Sequence, residues 1–196
     1  MRVPAREFLQ LRLLVHEVLR GVPLRDVTAV ELSGGGPGRS VSDVRTLFGS
    51  ERAEDASLPV RALFALRWKL GRWLGWDAES HSIESHHRES YVQRVWPELA
   101  SRSWVAPGTR EGAWVVLYVL EREALTEIRN ATVHAFMSLS LVERPGGYRV
   151  YVAVYVAPVS RWTPLYMALI EPFRRFVVYP ALARRLQRSW RERYRC

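Results

Sequence analysis

Between Glu111 and Ala157 the chain alternates residue by residue between two kinds of side chain, and the run is dense in valine, tyrosine and other β-branched or aromatic types. Successive side chains of a strand point to opposite faces, so a period of two over this length predicts β-structure rather than helix. Four strands are expected, at 113–121, 123–129, 131–142 and 148–157. Glu143-Arg144-Pro145-Gly146-Gly147 joins the last two as a hairpin loop, and its Pro-Gly-Gly supplies the positive φ that such turns require.

Helical spacing appears on both sides of this run. Phe8, Leu11, Val15, Val18 and Leu19 predict one helix over residues 5–20, ended by Gly21 and Pro23. A short strand follows at 26–32, and the tract Ser33-Gly34-Gly35-Gly36-Pro37-Gly38 closes it. Ser40 or Ser42 then caps a short helix through Phe48, because a serine hydroxyl satisfies a free N–H of the first turn. Pro59 opens a helix whose stripe is Leu63, Leu66, Leu70, Trp73 and Leu74. Residues 77–110 read mostly as loop, with one short helix near 90–100.

After the strands, Thr163-Pro164 starts a long C-terminal helix. Leu165, Leu169, Phe173 and Val177 form one buried stripe on it, and Leu182, Leu186 and Trp190 a second. Seventeen residues separate Leu165 from Leu182, which puts the stripes on different sides of a straight helix at about 3.6 residues per turn. Pro172 and Pro180 each remove an internal hydrogen bond, so a kinked or segmented helix is expected. The fold class is therefore α+β, a curved antiparallel sheet wrapped around a long basic C-terminal helix. Residues 1–25 are expected to form an N-terminal helical extension, and residues 26–196 one domain.

The charge is uneven. Of a net +9, residues 171–196 contribute eight arginines against Glu171 and Glu192, a surplus of six. Lys69 is the only lysine, and so heavy a preference for arginine is also what a GC-rich genome produces. Cys196 is the only cysteine, which rules out an intrachain disulfide and points to a reducing, cytoplasmic setting. Residues 8–19 are interrupted by Gln10, Arg12, His16 and Glu17 and do not form a secretory h-region. Clean apolar runs such as Trp114 to Leu120 are far short of the roughly 20 residues needed to span a bilayer.

Four segments carry a family resemblance: Glu127-Ile128-Arg129-Asn130-Ala131-Thr132-Val133-His134-Ala135-Phe136, Tyr151 to Tyr155, Ile170-Glu171-Pro172-Phe173-Arg174-Arg175, and Val177-Val178-Tyr179-Pro180. Together they resemble the bacterial family catalogued as domain of unknown function 2867. That family looks like part of the START and birch-pollen-allergen superfamily, which includes polyketide cyclase-like proteins. The resemblance covers residues 40–190 and is strongest after 110. It implies a helix-grip fold enclosing an apolar cavity between sheet and C-terminal helix, with no assigned activity. The N-terminal helix departs from the superfamily pattern, which ordinarily begins with a strand.

Three motifs bear on function. The glycine tract at 33–38 lacks the Lys-Ser/Thr of a phosphate-binding loop and the third glycine of a dinucleotide fingerprint, so it reads as a connection from strand to helix. His81, His86 and His87 lie near Glu84 and Glu89, but in no metal-ligand spacing. Neither a metal nor any other cofactor is expected. The Arg-rich end, with Arg184, Arg185, Arg188, Trp190 and Arg191, reads either as a solvated face or as a surface for an anionic membrane. Nucleic acid is not the expected partner.

On the strand from 131, Thr132, His134, Phe136, Ser138 and Ser140 share one face, and Val133, Ala135, Met137, Leu139 and Leu141 the other. The apolar set is expected to face the C-terminal helix. The inverse assignment would place Thr132, His134 and Ser138 in the pocket, with His134 available for proton transfer near neutral pH. Trp114, Tyr118, Tyr151 and Tyr155 form either an aromatic wall or ordinary core. The candidate ligand-binding set is therefore Trp114, Tyr118, His134, Phe136, Tyr151, Tyr155 and Phe173. The leading expectation is a protein that binds a hydrophobic small molecule or lipid. The alternatives are a cyclase- or dehydratase-type enzyme on the same fold, or an interaction module that docks its basic helix.

Overall fold

The alternating run forms strands close to where its pattern puts them. The computed structural model describes residues 3–49, 89–129, 134–157, 171–172 and 174–194. In chain order it contains α1 (Ala5–Leu9), α2 (Val15–Val18), β1 (Leu24–Ser33) and α3 (Val41–Gly49). A 3-10 turn at Tyr91–Arg94 and α4 (Pro97–Arg102) follow. Next come β2 (Arg110–Glu111), β3 (Trp114–Val119), β4 (Glu123–Arg129), β5 (His134–Arg144) and β6 (Gly147–Ala157). A π-helical turn at Arg174–Val178 leads into α5 (Tyr179–Arg193). The architecture is α+β. One curved antiparallel sheet of six strands runs in the order β1-β6-β5-β4-β3-β2, with helices packed on it.

Register decides which residues share a face. Across β4, β5 and β6, Thr126 pairs with Met137 and Met137 with Val154, while Glu127 pairs with Phe136 and Phe136 with Tyr155. Partners in register lie side by side, so these two rows belong to opposite faces. Irregularities at Leu24/Asp26 in β1 and at Val116/Tyr118 in β3 shift the ladder and bend the sheet locally.

Each face has its own cover. The first core joins Val30, Val116, Ala124, Leu139, Leu141, Val150 and Val152 to Val41, Val44 and Leu47 of α3 and to Leu186 and Trp190 of α5. The second joins Val27, Leu125, Phe136, Tyr151 and Tyr155 to Phe8, Val15, Val18 and Leu19 of the N-terminal segment and to Leu99 of α4. The apolar row Met137, Leu139 and Leu141 of β5 thus looks toward the C-terminal helix, as its pattern predicts. The polar row behind it is covered as well.

Residues 5–20 do not form one helix. They break into α1 and α2, and the free amides of Leu14 and Val15 donate to the carboxylate of Glu123 in β4, at 3.0 and 3.4 Å. A buried side chain more than a hundred residues away therefore replaces a local cap. At α3 the amide of Ser40 donates to Asp43 Oδ2 at 2.8 Å, half of a capping box. The hairpin turn behaves as its glycines require, with Gly146 at φ +80°.

Gly34, Gly35, Gly36 and Gly38 all adopt positive φ. Gly35 lies under the indole of Trp190, and a Cβ built on it would stand 2.6 Å from Cζ2 of that ring. The fully buried Trp190 removes roughly 200 Å² from water, about 5 kcal/mol at the usual transfer coefficient. A glycine is what permits that seating. Pro180 falls in the first turn of α5, where proline is tolerated, and the helical path runs into it through the wide turn at 174–178. The edge strand β1 is also covered: Val3 donates its amide to the carbonyl of Val27 at 3.1 Å, and Gln187 Nε2 donates to that of Glu31 at 2.9 Å.

The helix at 59–74, the opening of the C-terminal helix at Thr163-Pro164, and Phe173 lie outside the described residues.

Candidate functional site

On the face toward α5, the alternation of β4 and β5 presents Ala124, Thr126, Met137 and Leu139, and β3 adds Trp114 at its start. Beside this floor stands α3, which contributes Ser42, Arg45 and Thr46. Between them lies an open cleft of about 810 Å³. Its charges are mutually engaged: Arg45 Nη2 donates to both carboxylate oxygens of Glu111, at 2.6 and 2.7 Å. The hydroxyls of both threonines are engaged too, since Thr46 donates to the Ser42 carbonyl at 2.8 Å and Thr126 to that of Met137 at 3.4 Å. The surface left for a ligand is mostly apolar.

A smaller cleft of about 350 Å³ lies where α5 crosses β1. Asp26 and Thr28 form its floor, and Arg175, Tyr179, Ala183 and Arg184 stand around it. The Tyr179 hydroxyl donates to Asp26 Oδ1 at 2.7 Å.

The other face of the sheet sets buried polar side chains among the apolar residues of the second core. Glu123, Glu127, His134, Ser138 and Ser140 are all buried there. Glu127 accepts from Nε2 of His134 at 2.9 Å, from the Tyr91 amide at 3.1 Å, and from the Ser90 hydroxyl through a short contact. Burial alone would raise its pKa, but these donors, His134 first, outweigh it and hold the carboxyl below its ordinary range. An ionised carboxylate only accepts, so the imidazole proton on this contact belongs to Nε2. Nδ1 of His134 has no partner among the described residues. Tyr91 and Phe136 flank the ring, with centroids at 5.1 and 4.4 Å.

Glu123 is tuned the other way. Burial dominates and lifts its pKa, against the hydrogen bonds from Leu14, Tyr118 and Val15. The Tyr118 hydroxyl, which donates to Glu123 at 3.1 Å, is pushed well above its ordinary value by its own burial and by the neighbouring carboxylate. Burial likewise raises Tyr155.

The residues predicted from sequence separate accordingly. Trp114 lines the larger cleft. Tyr118, Phe136, Tyr151 and Tyr155 do share one face, but it is the one under α1 and α2, where they belong to the buried core. His134 lies on that same face, 2 % exposed, and lines neither cleft. The reason is register: Phe136 and Ser138 lie beside Tyr155 and Ala153, one residue out of phase with the cleft-lining Met137 and Leu139. Phe173 lies outside the described residues.

At the basic end, Trp190 is fully buried and unavailable to a membrane, which corrects its place in that surface. Arg184, Arg188 and Arg191 are exposed and Arg185 is half-buried. Ala124, Thr126, Arg45 and Glu111 of the cleft were missed in sequence. The alternation of Glu123 to Glu127 could have flagged the first two, whereas the pairing of Arg45 with Glu111 is purely tertiary.

No three His, Cys, Asp or Glu side chains among the described residues are grouped to hold a metal, and His81, His86, His87 and Glu84 lie outside those residues. Among the described residues no helix is long and apolar enough to cross a membrane. A family model described as protein of unknown function (DUF2867) matches residues 18–181. No curated protein and no solved structure matches the chain.

Proposed function

The chain belongs to the DUF2867 family, and on that premise we propose that it binds an uncharged, largely apolar small molecule in the cleft between α3 and the sheet. The observation that carries this reading is the floor of Ala124, Met137 and Leu139 beside Trp114 in a cleft of about 810 Å³. Small-molecule sites are typically concave, mostly apolar and roughly 300 to 1,000 Å³ in volume. An uncharged ligand follows from the rim, because Arg45 and Glu111 satisfy each other. A charged ligand would have to break that pair or enter the cleft without a counter-ion.

A helix-grip fold of the START type is part of the same proposal. Six antiparallel strands in the order β1-β6-β5-β4-β3-β2, with a C-terminal helix packed on one face, agree with it. A cyclase- or dehydratase-type activity draws no support from His134, since that side chain lies on the far side of the sheet from the cleft.

Native mass spectrometry of the purified chain, with extraction of any retained molecule, tests the binding. The expected result is an adduct of an apolar compound that is lost when Thr46→Trp plugs the cleft from its exposed rim. A chain that carries nothing, and whose affinity for a hydrophobic fluorescent probe is the same with and without Thr46→Trp, would sink the reading.

A further inference from the structure

We infer that the outer face of α5 is a docking surface for an anionic lipid bilayer, with Phe176 as its apolar anchor. The helix buries Leu186 and Trp190, so residues on the opposite side must face outward. Arg184, Arg188 and Arg191 occupy that side at spacings of four and three, the spacing of a single helical face. All three are exposed, and none pairs with a carboxylate among the described residues. Glu192 is the only acidic side chain of α5.

At the start of this row the π-helical turn holds Phe176 69 % exposed. It is one of only three large hydrophobic side chains so exposed among the described residues. The exposed Arg175 lies over its ring, with the guanidinium carbon 5.3 Å from the centroid. An exposed aromatic beside a row of arginines that meet no carboxylate among the described residues matches the two components of a bilayer surface, anionic headgroups and the acyl boundary beneath them. A single-stranded nucleic acid would call instead for several aromatic platforms along a basic groove, and among the described residues this face presents one exposed ring on a convex helix. The apolar face of α5 is committed to the core, so attachment rests on charge and one side chain, and it is reversible and salt-sensitive.

The test is flotation of the full chain with phosphatidylcholine vesicles, with and without phosphatidylglycerol, at low and high salt. Binding is expected only to the anionic vesicles and only at low salt. Arg184→Gln, Arg188→Gln and Arg191→Gln together should weaken it about 100-fold, at roughly fivefold per arginine near the surface. Phe176→Ser should weaken it by a smaller factor. All four positions are exposed, and circular dichroism establishes that the variants keep the fold. The inference is overturned by equal binding to neutral and anionic vesicles, by no binding to either, or by a triple variant that floats like the wild type. Retention on single-stranded RNA without vesicle binding would overturn it in favour of a nucleic-acid surface.

Discussion

Nε2 of His134 sits 2.9 Å from Oε2 of Glu127, and neither side chain reaches solvent. The pair joins β4 to β5, and through Ser90 and Tyr91 it fastens the segment at 89–94 to the back of the sheet. Removing one member of a buried pair strands the other in a medium of low dielectric, at about 3 to 5 kcal/mol. His134→Ala is expected to lower unfolding stability by that amount in urea titration. The pH dependence has a definite sign. Folding holds Glu127 below its ordinary 4.5, so the unfolded chain takes up a proton first as pH falls. The stabilisation is complete above about 4.5 and is lost as pH drops through the folded-state value. Glu127→Gln should erase this acid-side decline, and a decline of the same size in the variant would contradict the assignment.

Glu123 has the opposite sign. Its pKa is raised on folding, so the folded chain holds its proton to higher pH, and stability falls as pH rises from 4.5 through the folded-state value. Glu123→Gln removes the buried charge but keeps an oxygen to accept from the Leu14 and Val15 amides. The difference in Tm between variant and wild type should therefore move in the variant's favour as pH rises across this window. A difference that stays flat from acid to neutral pH would show that Glu123 does not titrate there.

Gly35 and Trp190 should be coupled. Gly35→Ala places a Cβ at φ +98°, against the indole, and should cost about 3 kcal/mol from backbone strain and overlap together. Trp190→Phe deletes the part of the ring that the Cβ would strike. A double-mutant cycle should return a coupling of about 1 kcal/mol or more, whereas additive costs would show that the glycine answers only to its own backbone.

The strands and their hairpin were legible because a period of two and a Pro-Gly-Gly turn are local signals. The helix-facing side of β5 was legible for the same reason: Met137, Leu139 and Leu141 declare an apolar row. Sequence could not reveal that the opposite row is buried as well. His134, Ser138 and Ser140 look like a solvated face until the N-terminal segment with Phe8, Val15 and Val18, and Tyr91 over His134, close on this side of the sheet. That cover depends on Glu123 reaching the amides of Leu14 and Val15, a contact more than a hundred residues long in sequence. Breaking residues 5–20 into two helices is the same event seen locally. The glycine tract read as a linker because its partner, Trp190, lies at the far end of the chain. The cleft was half legible, in its floor but not in the pairing of Arg45 with Glu111 that closes its rim to charge.

The bonds from Val3 to Val27 and from Gln187 to Glu31 have a consequence for how copies of this chain meet one another. A ten-residue strand at the margin of a sheet offers a ladder of unsatisfied carbonyls and amides on which a second molecule can build. Here a backbone amide from near one end of the chain and a side-chain amide from near the other each occupy a rung of that ladder. At the opposite margin β2 is only two residues long. The sheet therefore gives a neighbouring molecule little to template on, and resistance to strand-by-strand aggregation is built into the same segments that cover its two faces.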